Sequence, residues 1–280
     1  MHKAISIFVM TVILLTASTS RAVAFEVDIH ADITREALRF LKPYILEIIV
    51  ASNVNVDSSH GGWNHDTRTS HAWHFDNCLF EQAAADINLQ HAVAAMAFSH
   101  PYFAYFAAGY FGKLLHPVQD FYSHSNWVEL GKHELIDDGL SAWNAMQPFT
   151  VVKGVFIVQG EDYEEPYIPP GFRLTLVSRT NEVYVNGNPG LISGSSGHSS
   201  DDCPDDVTVN HGGSGHGGLN KDSLGRVGYQ QARWLATDQT VHEWCRLVSE
   251  VRRNWGEQGV NLLFETWVDD QARARQACGL

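Results

Sequence analysis

The sequence predicts a mainly α-helical domain with a small β/loop insertion. Three observations carry that expectation. Apolar residues recur at helical spacing near the N-terminus, two long Ala- and aromatic-rich stretches follow, and two further helical patterns close the chain. Strand-type texture is confined to the stretch between them, and the chain has no internal repeat.

Residues 1–24 read as an export signal. His2 and Lys3 precede an apolar stretch over 5–15, and Ala22-Val23-Ala24 forms an A-x-A cleavage pattern that would leave Phe25 as the mature start. That stretch is too short to span a bilayer, and no longer one occurs elsewhere. The expectation is a secreted or periplasmic protein whose residues 25–280 form one domain, with an inserted β/loop region at about 141–225.

Asp32 is placed to cap a first helix in which Ile33, Ala37, Leu38, Leu41, Ile45 and Ile49 recur, with His30 just ahead of it and Pro43 interrupting the pattern. Residues 54–73, rich in His, Asn, Asp and Gly, read as a polar loop. Residues 80–98 form an Ala-rich second helix. The apolar run 103–115 starts a third, which continues into 115–126 with Pro117 as the point for a kink. Beyond residue 140, the runs 151–158 and 173–177 are β-type, and 186–220 is turn-forming. Helices over 228–253 and 259–277 end the chain.

The net charge of −13 weighs against a protein that coats nucleic acid, because phosphate binding needs a cationic surface. The 15 histidines nearly match the 19 lysines and arginines, which points toward metal. Cys78, Cys203, Cys245 and Cys278 allow up to two disulfides in any of three pairings. They form no CxxC knuckle, so His and carboxylate remain as metal ligands. No serine nucleophile elbow, phosphate loop or dinucleotide fingerprint offers competing chemistry.

His116, Asp120 and His124 are the strongest constellation. Each four-residue step advances about 40° round a helix, so all three rise from one face and form a half-shell suited to zinc. The alternative is a set of hydrogen-bonded core residues. Upstream, His71 and His74 offer ring nitrogens and Asp57 a carboxylate, although a loop aspartate also serves as a cap or turn residue. His60 and His65 share that polar stretch as outer partners or solvated side chains. His198 and His216 read as solvated, His242 as packing, and Arg233 as a surface salt bridge or a phosphate contact. Trp63, Trp73 and Trp127 could form either a membrane-facing surface or part of the core.

The order His30, Asp57, His74 and His116-x-x-x-Asp120 resembles the zinc-dependent phospholipase C and P1 nuclease superfamily. The closer likeness is to its HET-C-related branch, carried by the run 119–131, Gln-Asp-Phe-Tyr-Ser-His-Ser-Asn-Trp-Val-Glu-Leu-Gly. His211-Gly212-Gly213 and the stretch 217–222 also look like that branch. The resemblance implies a multi-helical bundle holding up to three zinc ions. Asp57, His74, His116 and Asp120 would hold one ion, and Asp120 would bridge to a second held by His30 and the main chain at the mature N-terminus. His124 would begin a third site, with His211 as candidate partner and Asp222 behind it. Asp57 would also orient or deprotonate the attacking water. Two departures stand out: Phe25 replaces an N-terminal tryptophan, and no His-x-x-x-Glu/Asp pair follows His124.

The implied function is a secreted zinc-dependent phospholipase C-like hydrolase of phospholipid headgroup esters, in transient contact with a membrane surface and forming no stable nucleic-acid complex. The alternatives are a P1-like nuclease and a HET-C-like lipid-binding or interaction protein with reduced catalysis.

Overall fold

A central helix, buried on every side at its C-terminal half, organises the chain. The structure is a computed structural model and describes residues 25, 27–60, 68–76, 79–128, 132–136, 184–185, 188–189, 193, 221–222, 224 and 228–280. In chain order, the helices are α1 (Val27–Ala37), α2 (Pro43–His60), α3 (Arg68–Trp73), α4 (Phe80–Met96), α5 (Ala104–His124), α6 (Tyr229–Trp267) and α7 (Gln271–Ala277). Two single 3-10 turns join α4 to α5, and a two-residue hairpin pairs β1 (Tyr184–Val185) with β2 (Asn188–Pro189). The described part is mainly helical, as expected. Most of the inserted region, including the β-type runs 151–158 and 173–177, lies outside the described residues, as does the signal segment 1–24.

Helix α5 packs against α2, α4 and α6, and every side chain from 114 to 124 is buried. It runs on through Pro117. The α2–α5 seam is tight because Gly112 lacks a side chain: a Cβ there would lie 2.4 Å from the Ile49 carbonyl oxygen. Around this axis sit Phe75, Phe80, Phe98, Phe111, Phe121, Trp244, Phe264 and Trp267. The chain ends are tied together where Lys42 donates to the Trp267 carbonyl (2.7 Å) and Asp269 to the Phe40 carbonyl (2.9 Å).

Four expectations need correction. The first helical pattern is two helices: α1 begins at Val27, so Asp32 lies exposed mid-helix and does not cap it, and His30 sits inside α1. Pro43 starts α2 instead of interrupting a helix, since a first-turn residue needs no N–H donor and proline's φ is already helical. The polar stretch after residue 54 is no loop at its start. Residues 54–60 extend α2, because Ile49, Val50, Asn53 and Val56 bury one face that packing holds helical despite the polar residues between. The last helix stops at Trp267, and Asp270 then caps the separate α7 by accepting from the Arg273 N–H at 3.0 Å. The expected break between the closing helices is real: Gly256 adopts φ 62° and interrupts α6. Cys245 and Cys278 form a disulfide that pins α7 to α6.

Trp73 and Trp127 are buried, not exposed, and Trp63 lies outside the described residues. Among the described residues no helix is long and apolar enough to cross a membrane. Arg233 pairs with Glu36 at 2.7 Å in a surface salt bridge.

Candidate metal centre

Four segments converge where α5 is most deeply buried. Helix α5 supplies His116 and Asp120, α2 supplies Asn53 and Asp57 one turn apart, α1 supplies His30 and Thr34, and the turn after α3 supplies His74. That turn has a specific geometry. The Asp76 N–H donates to the His71 carbonyl (2.9 Å) and the Phe75 N–H to the Ala72 carbonyl (3.2 Å), the pattern that ends a helix on a left-handed residue. The left-handed residue is Phe75, at φ 53°, where glycine usually sits. Its buried ring packs on Phe80 and Phe121, which offsets the backbone strain. The reversal aims His74 and Asp76 back at α5.

Three ligand-type atoms form a triangle there. Asp120 Oδ2 lies 3.1 Å from His74 Nδ1 and 3.1 Å from His116 Nε2, and those two nitrogens are 3.1 Å apart. Asp57 Oδ1 stands over them, 3.5 Å from His116 Nε2 and 4.0 Å from His74 Nδ1. Ligands about 2.0–2.2 Å from a tetrahedral zinc are about 3.3–3.6 Å from one another, so this spacing fits four atoms round one ion. On the other side of Asp120, Oδ1 is 3.1 Å from His30 Nε2. His30, Asp57 and His116 also offer a second group of mutually close ligand atoms, so His116 belongs to both groups, while Asp120 reaches His30 through its other oxygen.

The surrounding amides fix which nitrogens carry hydrogen. Asn53 donates through Nδ2 to Thr34 Oγ1 (3.0 Å) and Gln119 Oε1 (3.1 Å), so its Oδ1 accepts from His116 Nδ1 at 3.1 Å. Gln119 donates through Nε2 to Thr34 and Thr240, and its Oε1 accepts from His30 Nδ1 at 2.7 Å. His30 and His116 therefore turn lone pairs on Nε2 toward Asp120, as metal-ligating imidazoles do. In the triangle, His116 Nε2 and Asp120 Oδ2 are both acceptors, and only His74 Nδ1 can bring a proton. Asp57 Oδ2 and His74 Nε2 are buried and make no hydrogen bond, and buried His30 Nε2 and Asp120 Oδ1 have only each other, 3.1 Å apart. Crowded acceptors with too few protons suit a cation, and the residues present fit zinc.

The electrostatics are divided. Burial alone would raise the Asp120 carboxyl, but the imidazoles of His116, His124 and His30 outweigh it and hold the group well below the usual carboxylate range. Burial, with the neighbouring His30, pushes His116 down. For His30 and His74, burial works downward but the attraction of Asp120 wins and raises both.

His124 stands apart from both ligand groups. Its Nδ1 donates to the His74 carbonyl at 2.7 Å, and its ring lies between Asp76 (3.3 Å) and Asp222 (3.3 Å). Burial would lower it, yet Asp120 and Asp222 raise it well above the usual imidazole range. Beside it, buried Lys221 donates from Nζ to the Ser125 carbonyl at 2.8 Å, strapping residues 221–222 over the end of α5. His211 lies outside the described residues, as do His65, His198 and His216. Buried Phe25 sets its ring edge-on to His30 at 5.6 Å, bringing the expected mature start beside this centre.

Sequence reasoning missed Thr34, Asn53, Asp76 and Gln119. Thr34 and Asn53 lie four residues from His30 and Asp57, and that repeated spacing of polar groups on core-facing stripes was the available signal.

No curated protein and no solved structure matches this chain. A family model described as the VWA7 N-terminal domain matches residues 26–150, a span that contains His30, Asp57, His74, His116, Asp120 and His124.

Proposed function

We propose that this chain is a zinc-dependent phosphodiester hydrolase of the phospholipase C and P1 nuclease kind, exported from the cell and acting on phospholipid headgroup esters. One observation carries the reading: buried His74, His116, Asp120 and Asp57 present their ligand atoms at 3.1–4.0 Å from one another with too few protons to pair them. Zinc bound there would supply ionised water near neutral pH and neutralise charge on the phosphoryl oxygens. Asp57 Oδ2, which makes no hydrogen bond, is free to orient the attacking water and accept its proton. Asn53 and Gln119 keep His116 and His30 in the ligating tautomer. The Cys245–Cys278 disulfide supports an oxidising compartment, and the acidic surface favours a small phosphodiester over a nucleic-acid strand.

The second reading is a protein of this fold that binds lipid with reduced catalysis. It is favoured by His124, whose Nδ1 is committed to the His74 main chain instead of opening a third site. Elemental analysis of the mature protein, with hydrolysis of a phosphocholine ester before and after chelation, tests the two. Two or three zinc ions per chain and chelator-sensitive turnover support the hydrolase. Bound lipid without turnover supports the second reading, and preferred cleavage of single-stranded nucleic acid would point to a nuclease.

A further inference from the structure

Helix α5 changes character along its length. Its buried half holds His116 and Asp120, while its first turns present aromatic rings to solvent. Tyr102 is 72% exposed and Phe106 60%, and Phe103, Tyr105 and Tyr110 are also exposed, joined by Tyr44 from α2. The rings pack in two groups: Tyr44 and Tyr105 have centroids 6.0 Å apart, while Tyr102 and Phe103 are 5.8 Å apart and Phe103 and Phe106 6.3 Å. At about 100° per residue, Tyr105, Lys113, Phe106, Tyr110 and Phe103 span roughly 160° of the helix surface. The opposite side, with Ala104, Ala107, Ala108 and Phe111, is in the core. Single exposed apolar residues are ordinary, but an aromatic face of this breadth marks a docking surface.

Charge identifies what it docks on. The chain has 32 acidic residues, yet residues 87–119 contain none. The exposed cation on the face is Lys113, which makes no ion pair among the described residues. At the α2 rim, Glu47 is paired with Arg35 at 2.9 Å, and Lys42 donates to the Glu265 carbonyl. Tyrosines and phenylalanines around a lysine, on a stretch of chain without acidic residues, match the chemistry of a headgroup layer: rings at the acyl boundary, hydroxyls and ammonium among the phosphates.

We infer that the Tyr102–Tyr110 face of α5, with Tyr44 and Lys113, is a docking surface for a bilayer containing anionic phospholipid. The choice of a phospholipid surface rests on the hydrolase reading above, whereas the exposed face itself does not. The same helix then places the centre about 15 Å along its axis, from Phe106 to His116.

Sedimentation with vesicles of phosphatidylcholine and phosphatidylserine tests it, using the full mature chain both zinc-loaded and chelated. The wild type is expected to bind in both forms. Phe103→Ser/Phe106→Ser should weaken binding by at least about tenfold, and Lys113→Glu should weaken it severalfold. Both variants should keep the wild-type melting temperature and hydrolysis of a soluble short-chain ester, so failure of docking is separable from failure of turnover. A wild type that does not sediment with vesicles overturns the proposal, as do variants that bind equally well. A wild-type dimer that the double variant dissociates overturns it too, by making a second copy the occupant.

Discussion

Two of the histidine–carboxylate clusters buried among the described residues share residue types, and one of the two resembles a site. At the first, Glu243 Oε2 meets His91 Nε2 at 2.6 Å and its Oε1 accepts from Gln239 Nε2 at 2.8 Å. Gln239 in turn accepts from Tyr122 and the Ile136 N–H and donates to the Ile136 carbonyl. At the second, Asp120 Oδ2 faces two imidazole nitrogens that also face each other. The clusters touch neighbouring residues of α6, Gln239 and Thr240. They share residue types and burial, and differ at the carboxylate: each Glu243 oxygen has its own donor although His91 Nδ1 is left without a hydrogen bond, whereas Asp120 Oδ2 shares one proton with two imidazoles. Matched donors and acceptors indicate structure, whereas acceptors gathered without donors indicate a place for a cation.

Four substitutions sharpen that contrast. On the hydrolase reading, Asp120→Asn should lower turnover by about a thousandfold or more and lower zinc content, measured by elemental analysis, because the two oxygens of Asp120 face His30 on one side and His74 and His116 on the other. Glu243→Gln should leave zinc content unchanged, and a loss of zinc there would break the distinction. Gln119→Leu leaves His30 Nδ1 and Asn53 without their partner and should weaken zinc binding about 10–100-fold in competition with a chelating dye. Gly112→Ala drives a methyl against the Ile49 carbonyl and should destabilise the protein by about 1–3 kcal/mol on denaturant unfolding, loosening the seam that sets Asp57 against His116.

The smallest effect is a pH dependence. Burial would raise the Glu243 carboxyl, but its hydrogen bond to His91 and the nearby charges of His91 and Arg246 hold it below the usual range. A depressed carboxyl stabilises the fold above its unfolded pKa of about 4.3, and the contribution is lost as pH falls through the folded value. The chelated wild type should therefore lose more melting temperature than Glu243→Gln as pH drops from 5 toward 3, and parallel curves would remove Glu243 as the cause.

Much of the centre was legible because α5 writes it at one spacing. His116, Asp120 and His124 interrupt an apolar run at i, i+4 and i+8, and no loop chemistry confuses the pattern. Asp57 was harder. It lies among Asn55, Ser58 and Ser59, whose propensity favours turns, and only packing of Val56 and Asn53 against the core keeps that turn helical. The His74 turn has no glycine to mark it, since Phe75 occupies the left-handed position through its packing. The tryptophans left open between surface and core resolve for a related reason. Composition pointed to tryptophans, but burial depends on which face the tertiary contacts cover: Trp73 and Trp127 are inside and Phe106 is out.

The Cys245–Cys278 bridge has a practical consequence for handling the protein. It closes a separation of 33 residues, which by chain entropy alone is worth roughly 3–4 kcal/mol. Thiol reductants would open this bridge and, on the zinc hydrolase reading proposed above, would also compete for the ion. Activity lost in such a buffer would then have two origins, stripped metal and a released C-terminal helix. A Cys245→Ser/Cys278→Ser chain separates them, because reductant can act on it only through the metal or the other cysteines. Preparations are better kept free of thiols.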